Sequence, residues 1–164
     1  MKMIGWTALA ITIVILAAIA WRVDDWGRDW TENTAQLSAD AQNPWLRPQT
    51  LDGDVQEVEG KLRSWVDSKS DWQIEGDETV PAADGGGSRR LHLTRRTKLF
   101  RFVDDIHVTI VPDVGATSGD GAPANRCIVE AHSQSRLGKG DLGQNPRNLI
   151  ELAKGLATAD QSAK

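Results

Sequence analysis

The chain has one cysteine, Cys127, in 164 residues. An intrachain disulfide is excluded, and the residue is silent about redox compartment. Metal-ligand spacing is missing too. No C-x-x-C or H-x-x-x-H occurs, and Cys127 with His92, His107 and His132 matches no zinc pattern. No metal and no cofactor is expected. Positive charge is not in excess: the net charge is −4, which argues against wholesale nucleic-acid binding. No nucleic-acid partner is expected. A G-x-S-x-G elbow is absent, no G-K-[ST] occurs, and there is no internal repeat. Tryptophan is missing from most of the chain. All seven lie in the first 72 residues, which marks off an N-terminal region.

What is present begins with a long apolar run, "MIGWTALAITIVILAAIA", Met3 to Ala20. About 18 to 20 apolar residues cross a ~30 Å hydrocarbon layer as a helix. Trp6 and Trp21 would lie about 22 Å apart along it, a spacing suited to interfacial anchors. Trp26 and Trp30 add rings just beyond. Ala18-Ile19-Ala20 also fits the small-x-small pattern of a cleaved signal peptide. The run exceeds the usual h-region of roughly 7–15 residues, which favours a retained anchor over residues 1–22. Lys2 before the run and Arg22 and Arg28 after it leave the positive-inside count nearly silent. A short tail ahead of a signal-like span stays in the cytoplasm, so the expectation is a single-pass protein of the cell membrane with an extracytoplasmic domain.

Residues 23–50, with two prolines in "NPWLRP" and no periodicity, read as a linker that docks through Trp45. An α+β domain follows over 51–158, with 159–164 a disordered tail. Val55, Val58, Leu62, Trp65 and Val66 recur at helical spacing and predict a helix over about 53–68, capped by Asp52 or Asp54. Gly60 weakens it by about 1 kcal/mol. Trp72 and Ile74, then Leu91 and Leu93, alternate as two strands. A third strand places Phe100, Phe102, Ile106, Val108 and Ile110 on one face, and a fourth does so with Cys127, Val129 and Ala131. These last two pair as an antiparallel hairpin across a long Gly/Pro/Asp loop. Asn145-Pro146 opens a final helix, Asn as N-cap and Pro at the first position, with Leu149, Leu152, Ala153 and Leu156 as its apolar face. The predicted fold class is α+β: an antiparallel sheet of about four strands with two helices on one face, preceded by one transmembrane helix.

"SRLGKGDLGQNPRN" contains Gly138, Gly140 and Gly143 in a literal G-x-G-x-x-G. A dinucleotide fingerprint needs its helix to open inside the motif, and here the helix opens after the third glycine. The glycines are expected to form a strand-to-helix turn, with Lys139 in solvent.

"LFRFVDD" and "SQSRLGKGDLGQN", followed by a short helix, resemble the domain of unknown function 1499 family. Its members show an F-x-D-D strand and an S-x-S-R-x-G-x-x-D-x-G-x-N segment. The matching residues are Phe102, Asp104, Asp105, Ser133, Ser135, Arg136, Gly138, Asp141, Gly143 and Asn145. The resemblance covers about residues 43–156. His132 departs from it, where many relatives carry arginine, as do Pro146 and Asn148, where basic residues are common. The family carries no established activity, so the resemblance implies no mechanism.

Asp104 shares the phase of Ile106 and Val108, which puts a carboxyl on the buried face. It would serve there as a general acid or base, pair with Arg136, or turn outward on a bulge. Ser133, Ser135, His132, His107 and the aspartates contain the residue types of a hydrolase triad, but alternation sends His132 and Ser133 to opposite faces. Asp141 reads as a turn-stabilising side chain. "RRLHLTRRTKLFR" has six cations and no acid, and Arg90, Arg96 and Lys98 alternate with its apolar face. They read as a stripe for anionic lipid or an acidic partner, or as a solvated sheet face. The leading expectation is a membrane-tethered module that binds a partner or an anionic group, not an enzyme. Arg136 and the helix N-terminus at Asn145 form its anion site, with Asp104, Asp105, Ser133, Ser135 and Asp141 around it. The alternatives are a small hydrolase using Asp104 or Asp105 with His107, and a structural envelope domain.

Overall fold

A computed structural model of the chain describes residues 2–22, 27, 31–81, 87–97, 101–115, 117, 125–138 and 140–162. Helix α1 runs Lys2–Arg22, where the apolar run predicts a helix. Side chains at residues 2–5, 8, 18, 19, 21 and 22 lie outside the description, as do Trp26, Arg28 and Trp30. Among the described residues no helix is long and apolar enough to cross a membrane, so the crossing expected of Met3–Ala20 rests on the sequence.

Helix α2, Val55–Asp67, starts where a reciprocal cap forms. Asp54 Oδ1 accepts from the Gln56 and Glu57 backbone N–H groups, and Glu57 Oε2 accepts from Asp54 N. Its predicted face is buried through Val58, Leu62, Trp65 and Val66. Helix α3, Gln144–Ser162, buries Leu149, Leu152, Ala153 and Leu156 as expected. It opens before Asn145 and runs through residues 159–162, which the sequence assigns to a disordered tail. The two helices lie antiparallel, with Lys61 bonded to Asp160 at one end and Lys69 to Glu151 at the other.

Six strands form one antiparallel sheet: β1 (Thr34–Gln36), β2 (Gln49–Asp52), β3 (Trp72–Val80), β4 (Ser88–Arg96), β5 (Val103–Pro112) and β6 (Arg126–Ser135). Their order is β1-β6-β5-β4-β3, with β2 also paired to β6. Two strands thus exceed the expected four. Both begin in the stretch expected to be linker, and they share one edge of β6: β1 faces residues 132–134 and β2 faces 126–129. Trp45 sits between them in a 3-10 turn, Pro44–Leu46, that packs on α3, so the expected docking occurs. The predicted hairpin is β5–β6.

The core follows strand alternation. Leu91, Leu93, Ile106, Val108, Ile110, Cys127, Val129 and Ala131 form one buried layer with the apolar faces of α2 and α3. Phe102 departs from its expected place and is 48% exposed. Arg101 just before β5 has φ of 55°, which breaks the alternation, and the turn closes through Thr97 and Phe102. Phe100 lies outside the described residues.

Gly155 of α3 lets the helices close. A Cβ there would sit 1.9 Å from Trp65 Nε1, whereas one on Gly60 of α2 would meet nothing within 4 Å. Gly60→Ala should therefore stabilise the fold by up to ~1 kcal/mol through helix propensity. Gly155→Ala should destabilise it, since overpacking costs about 1–3 kcal/mol. Urea midpoints that move the same way for both would disprove this packing.

Candidate functional site

The inner face of the sheet ends in polar residues. Continued alternation along β5 and β6 brings Asp104, Ser133 and Ser135 to the helix-facing side beyond the apolar layer. The first turns of α3 add Asn145 and Asn148, three residues apart and so on one helix face. All five are buried, Asp104 to 1% exposure. They close a ring of hydrogen bonds. Ser135 Oγ donates to Asp104 Oδ1 at 2.7 Å and accepts from Asn145 Nδ2 at 3.1 Å. Ser133 Oγ donates to Asn145 Oδ1 at 2.6 Å and accepts from Asn148 Nδ2 at 3.2 Å. Asn148 Nδ2 then donates to Asp104 Oδ2 at 2.9 Å, which completes the circuit.

Asp104 is the one member that accepts on both sides and donates on neither, which suits a carboxyl and no amide. The ring is tied outward at two points. Asn145 Nδ2 donates to the Asn33 carbonyl at 2.7 Å, fastening the chain just before β1. Arg95 Nη1 donates to Asn148 Oδ1 at 2.7 Å, while the same guanidinium bonds Glu151 and Asp71.

The expected Asp104–Arg136 pair does not form. Arg136 instead grips the neighbouring Asp105 with two bonds of 2.7 and 2.8 Å on the other face of the sheet. Consecutive strand residues point opposite ways, so adjacent aspartates belong to different environments. Asp105 Oδ1 also lies 2.7 Å from His92 Nε2. These contacts, Arg136 first, hold the Asp105 carboxyl down to about 2 against the opposing effect of burial. The hydrolase alternative named His107, but Asp105 bonds His92. His92 stacks on His107 with centroids 4.7 Å apart, and register places His132 opposite His107. All three histidines thus form one row across β4, β5 and β6. Partial desolvation, then the like charge of His92, lowers His107 from its ordinary value. Asp105 opposes this, and His132 and Arg90 add to it. Cys127 sits on the opposite, buried face, where burial pushes its thiol up. Among the described residues no three His, Cys, Asp or Glu side chains are placed to hold a metal ion.

The glycine segment is a turn. Gly138 and Gly143 have φ of 97° and 74°, values that favour glycine. Lys139 lies outside the described residues. Asp141 Oδ1 accepts from Gly143 N and Oδ2 from Asn145 N, so the helix start is capped from within. Asn145 is not an N-cap, because its side chain is spent in the ring. The anion site expected from Arg136 and the α3 N-terminus is therefore not assembled: Arg136 faces Asp105, and the donors at the helix start face Asp141.

Part of the basic segment is matched by acids that its sequence does not reveal. Arg90 bonds Glu78 at 2.7 Å, and Arg89 bonds Asp77 and Glu59. Lys98 lies outside the described residues. Open space lies elsewhere. A groove of about 1020 Å³ runs between α2 and α3, and a concavity of about 540 Å³ lies beside α2 and β3 near Trp72 and Asp77. Neither touches the ring. The sequence reading missed three residues here. Asn148 had a signal, its spacing from Asn145. Arg95 had one in sharing the phase of Leu91 and Leu93. Asn33, acting through its backbone carbonyl, had none.

Two predictions arise here. Asp104→Asn should cost about 1–3 kcal/mol although isosteric, because Ser135 or Asn148 then loses its acceptor. Arg136→Ala should move the urea midpoint much less, since that pair stands in solvent. This reverses the order that an Asp104–Arg136 pair would impose. The second concerns pH. His107 has its folded value below 6.5, so its contribution is present above about pH 6.5 and falls away as pH drops through the lowered value. Asp105, lowered from 3.8 to about 2, contributes above pH 3.8 and loses that contribution between there and about 2. Urea midpoints against pH should show both declines. His107→Gln should remove the upper one and Asp105→Asn should shrink the lower one. Unchanged profiles would refute the assignment.

A family model described as "Protein of unknown function (DUF1499)" matches residues 28–156. That span includes the whole sheet, the ring and α2. No curated protein matches the chain. With the match covering most of its length, the chain belongs to the DUF1499 family.

Proposed function

We propose that this chain is a membrane-tethered, extracytoplasmic module that acts by binding an anionic group, on lipid or protein, and not by catalysis. The observation that carries the reading is the contrast between α1 and the domain. The domain buries its apolar side chains in one layered core. The described apolar residues of α1 stand clear, among them Trp6 at 73% and Val14 at 67% exposure. Among the described residues, helix α1 takes no part in the principal packing contacts. A large apolar surface of this kind is a liability in water and is matched by a hydrocarbon layer of ~30 Å.

Support for binding over catalysis comes from the ring. Of the residues whose types invite a catalytic reading, Asp104, Ser133 and Ser135 are buried and satisfied within the ring, away from both concavities, while Asp105 is held by Arg136 and His92 on the outer face beside His107. The α2–α3 groove, by contrast, is open and lined by Lys61, Lys69, Arg147 and Lys154 with Glu151 as its one acid. The anionic group expected from the sequence is better served there than at Arg136.

The full chain should remain with membranes after alkaline carbonate extraction. Removing residues 1–22 should release a domain that stays in solution and unfolds cooperatively in urea. Aggregation of the truncated chain, or carbonate release of the full one, would sink the tether. Protease added to intact spheroplasts should digest the domain, and its survival there would reverse the orientation.

A further inference from the structure

We infer that the α2–α3 groove holds a single-chain anionic amphiphile, a long-chain carboxylate, with its chain along the helices and its head at Lys154. The inference deepens the binding reading above and rests on it. The lining runs from Gly60 to Lys69 on α2 and from Arg147 to Ser162 on the antiparallel α3. At 1.5 Å per residue this is a trough of roughly 13–22 Å. Such a length suits one extended chain better than a compact ring. Trp65, Ile150, Gly155 and Ala159 supply its apolar lining. Its volume, about 1020 Å³, is at the upper end of the ~300–1,000 Å³ usual for ligand pockets.

Charge decides the head. Glu151 is the one acid in the lining, and its carboxylate already holds Arg95 at 2.9 Å as well as Lys69 at 3.3 Å. Lys61 is matched by Asp160 at 2.7 Å. Lys154 has an aromatic partner, the Trp45 ring at 5.8 Å, and makes no salt bridge among the described residues. Lys69 lies 5.4 Å from the Trp65 ring centroid, which sets a cation directly beside the apolar lining. The groove therefore carries positive charge beyond its acids in a chain of net charge −4. An apolar lining with an unbalanced cationic rim is complementary to an apolar chain ending in an anion. Gly60 fits the same picture. It lies within α2, lines the groove, and would meet nothing within 4 Å if given a Cβ. Packing inside the chain thus leaves the groove open at that position.

The test uses the full chain in phosphatidylcholine nanodiscs with a diazirine-bearing palmitic acid, and the labelled peptides are mapped by mass spectrometry. Peptides spanning residues 60–69 and 147–162 should be labelled saturably. Gly60→Phe, which plugs the trough, should reduce that labelling at least tenfold at sub-saturating probe. Lys154→Glu, an exposed change that spares the core, should weaken it several-fold, and the corresponding uncharged alcohol probe should label the groove poorly. Label in α1 serves as the internal reference, because bilayer-dissolved probe should reach it in every variant. Labelled α1 with an unlabelled groove, or groove labelling indifferent to both variants, would overturn the amphiphile site and leave the tether standing. Unlabelled α1 would instead count against the tether.

Discussion

The ring closed by Asp104 is the constraint on which the rest of the domain depends. It is where β5, β6, the start of α3 and the residues leading into β1 come together. Its five members come from three elements, β5, β6 and α3, and each is satisfied by another. Burying five polar side chains is costly when any of them lacks a partner, and a half-satisfied network is worse than an apolar core. A closed circuit therefore acts as an all-or-none selector. Strand register, the rotation of α3 and the seating of Asn33 must all be right together. The apolar layer below it is less discriminating, since Leu, Ile and Val tolerate small shifts.

Two consecutive aspartates show how far strand geometry determines role. Asp104 faces the helices and closes the ring. Asp105, one residue on, faces outward and holds Arg136 and His92. Their residue type is shared, and a one-residue slip of β5 would exchange their environments. The bulky apolar neighbours Ile106, Val108 and Ile110 oppose such a slip by their own burial. Core packing thus decides which carboxylate meets the arginine, a choice that spacing alone did not reveal.

Much of the domain was legible because its long elements repeat. Alternation in β5 and β6 identified the buried face through Ile106 and Val129, and helical spacing found the apolar faces of α2 and α3. Strands β1 and β2 were illegible for a physical reason. They are three and four residues long, too short for a period to appear, and are held by the edge of β6 more than by any pattern of their own. Partners across the sheet were hidden likewise. The cations of β4 look unopposed in sequence, yet Asp77 and Glu78 of β3 meet Arg89 and Arg90 through a register that includes a bulge between Ile74 and Gly76. Asn145 looked like an N-cap beside Pro146. The ring claimed its side chain, and Asp141 took over the cap.

Apart from Phe102 and the outer-face pair of Asp105 and Arg136, the residues that mark the family resemblance are divided between two kinds of work. Asp104, Ser133, Ser135 and Asn145 build the ring, while Asp141 and the glycines turn the chain into α3 so that Asn145 and Asn148 arrive on the correct face. Both are architectural roles. The motif leaves other surfaces of the domain to the rest of the chain. The helix layer is such a surface: the ring orients α3, Gly155 admits the Trp65 indole, and the two together set the width of the groove beside α2. The buried motif and the open groove are in this sense one mechanical unit. The first positions a helix, and the second is the space that helix leaves.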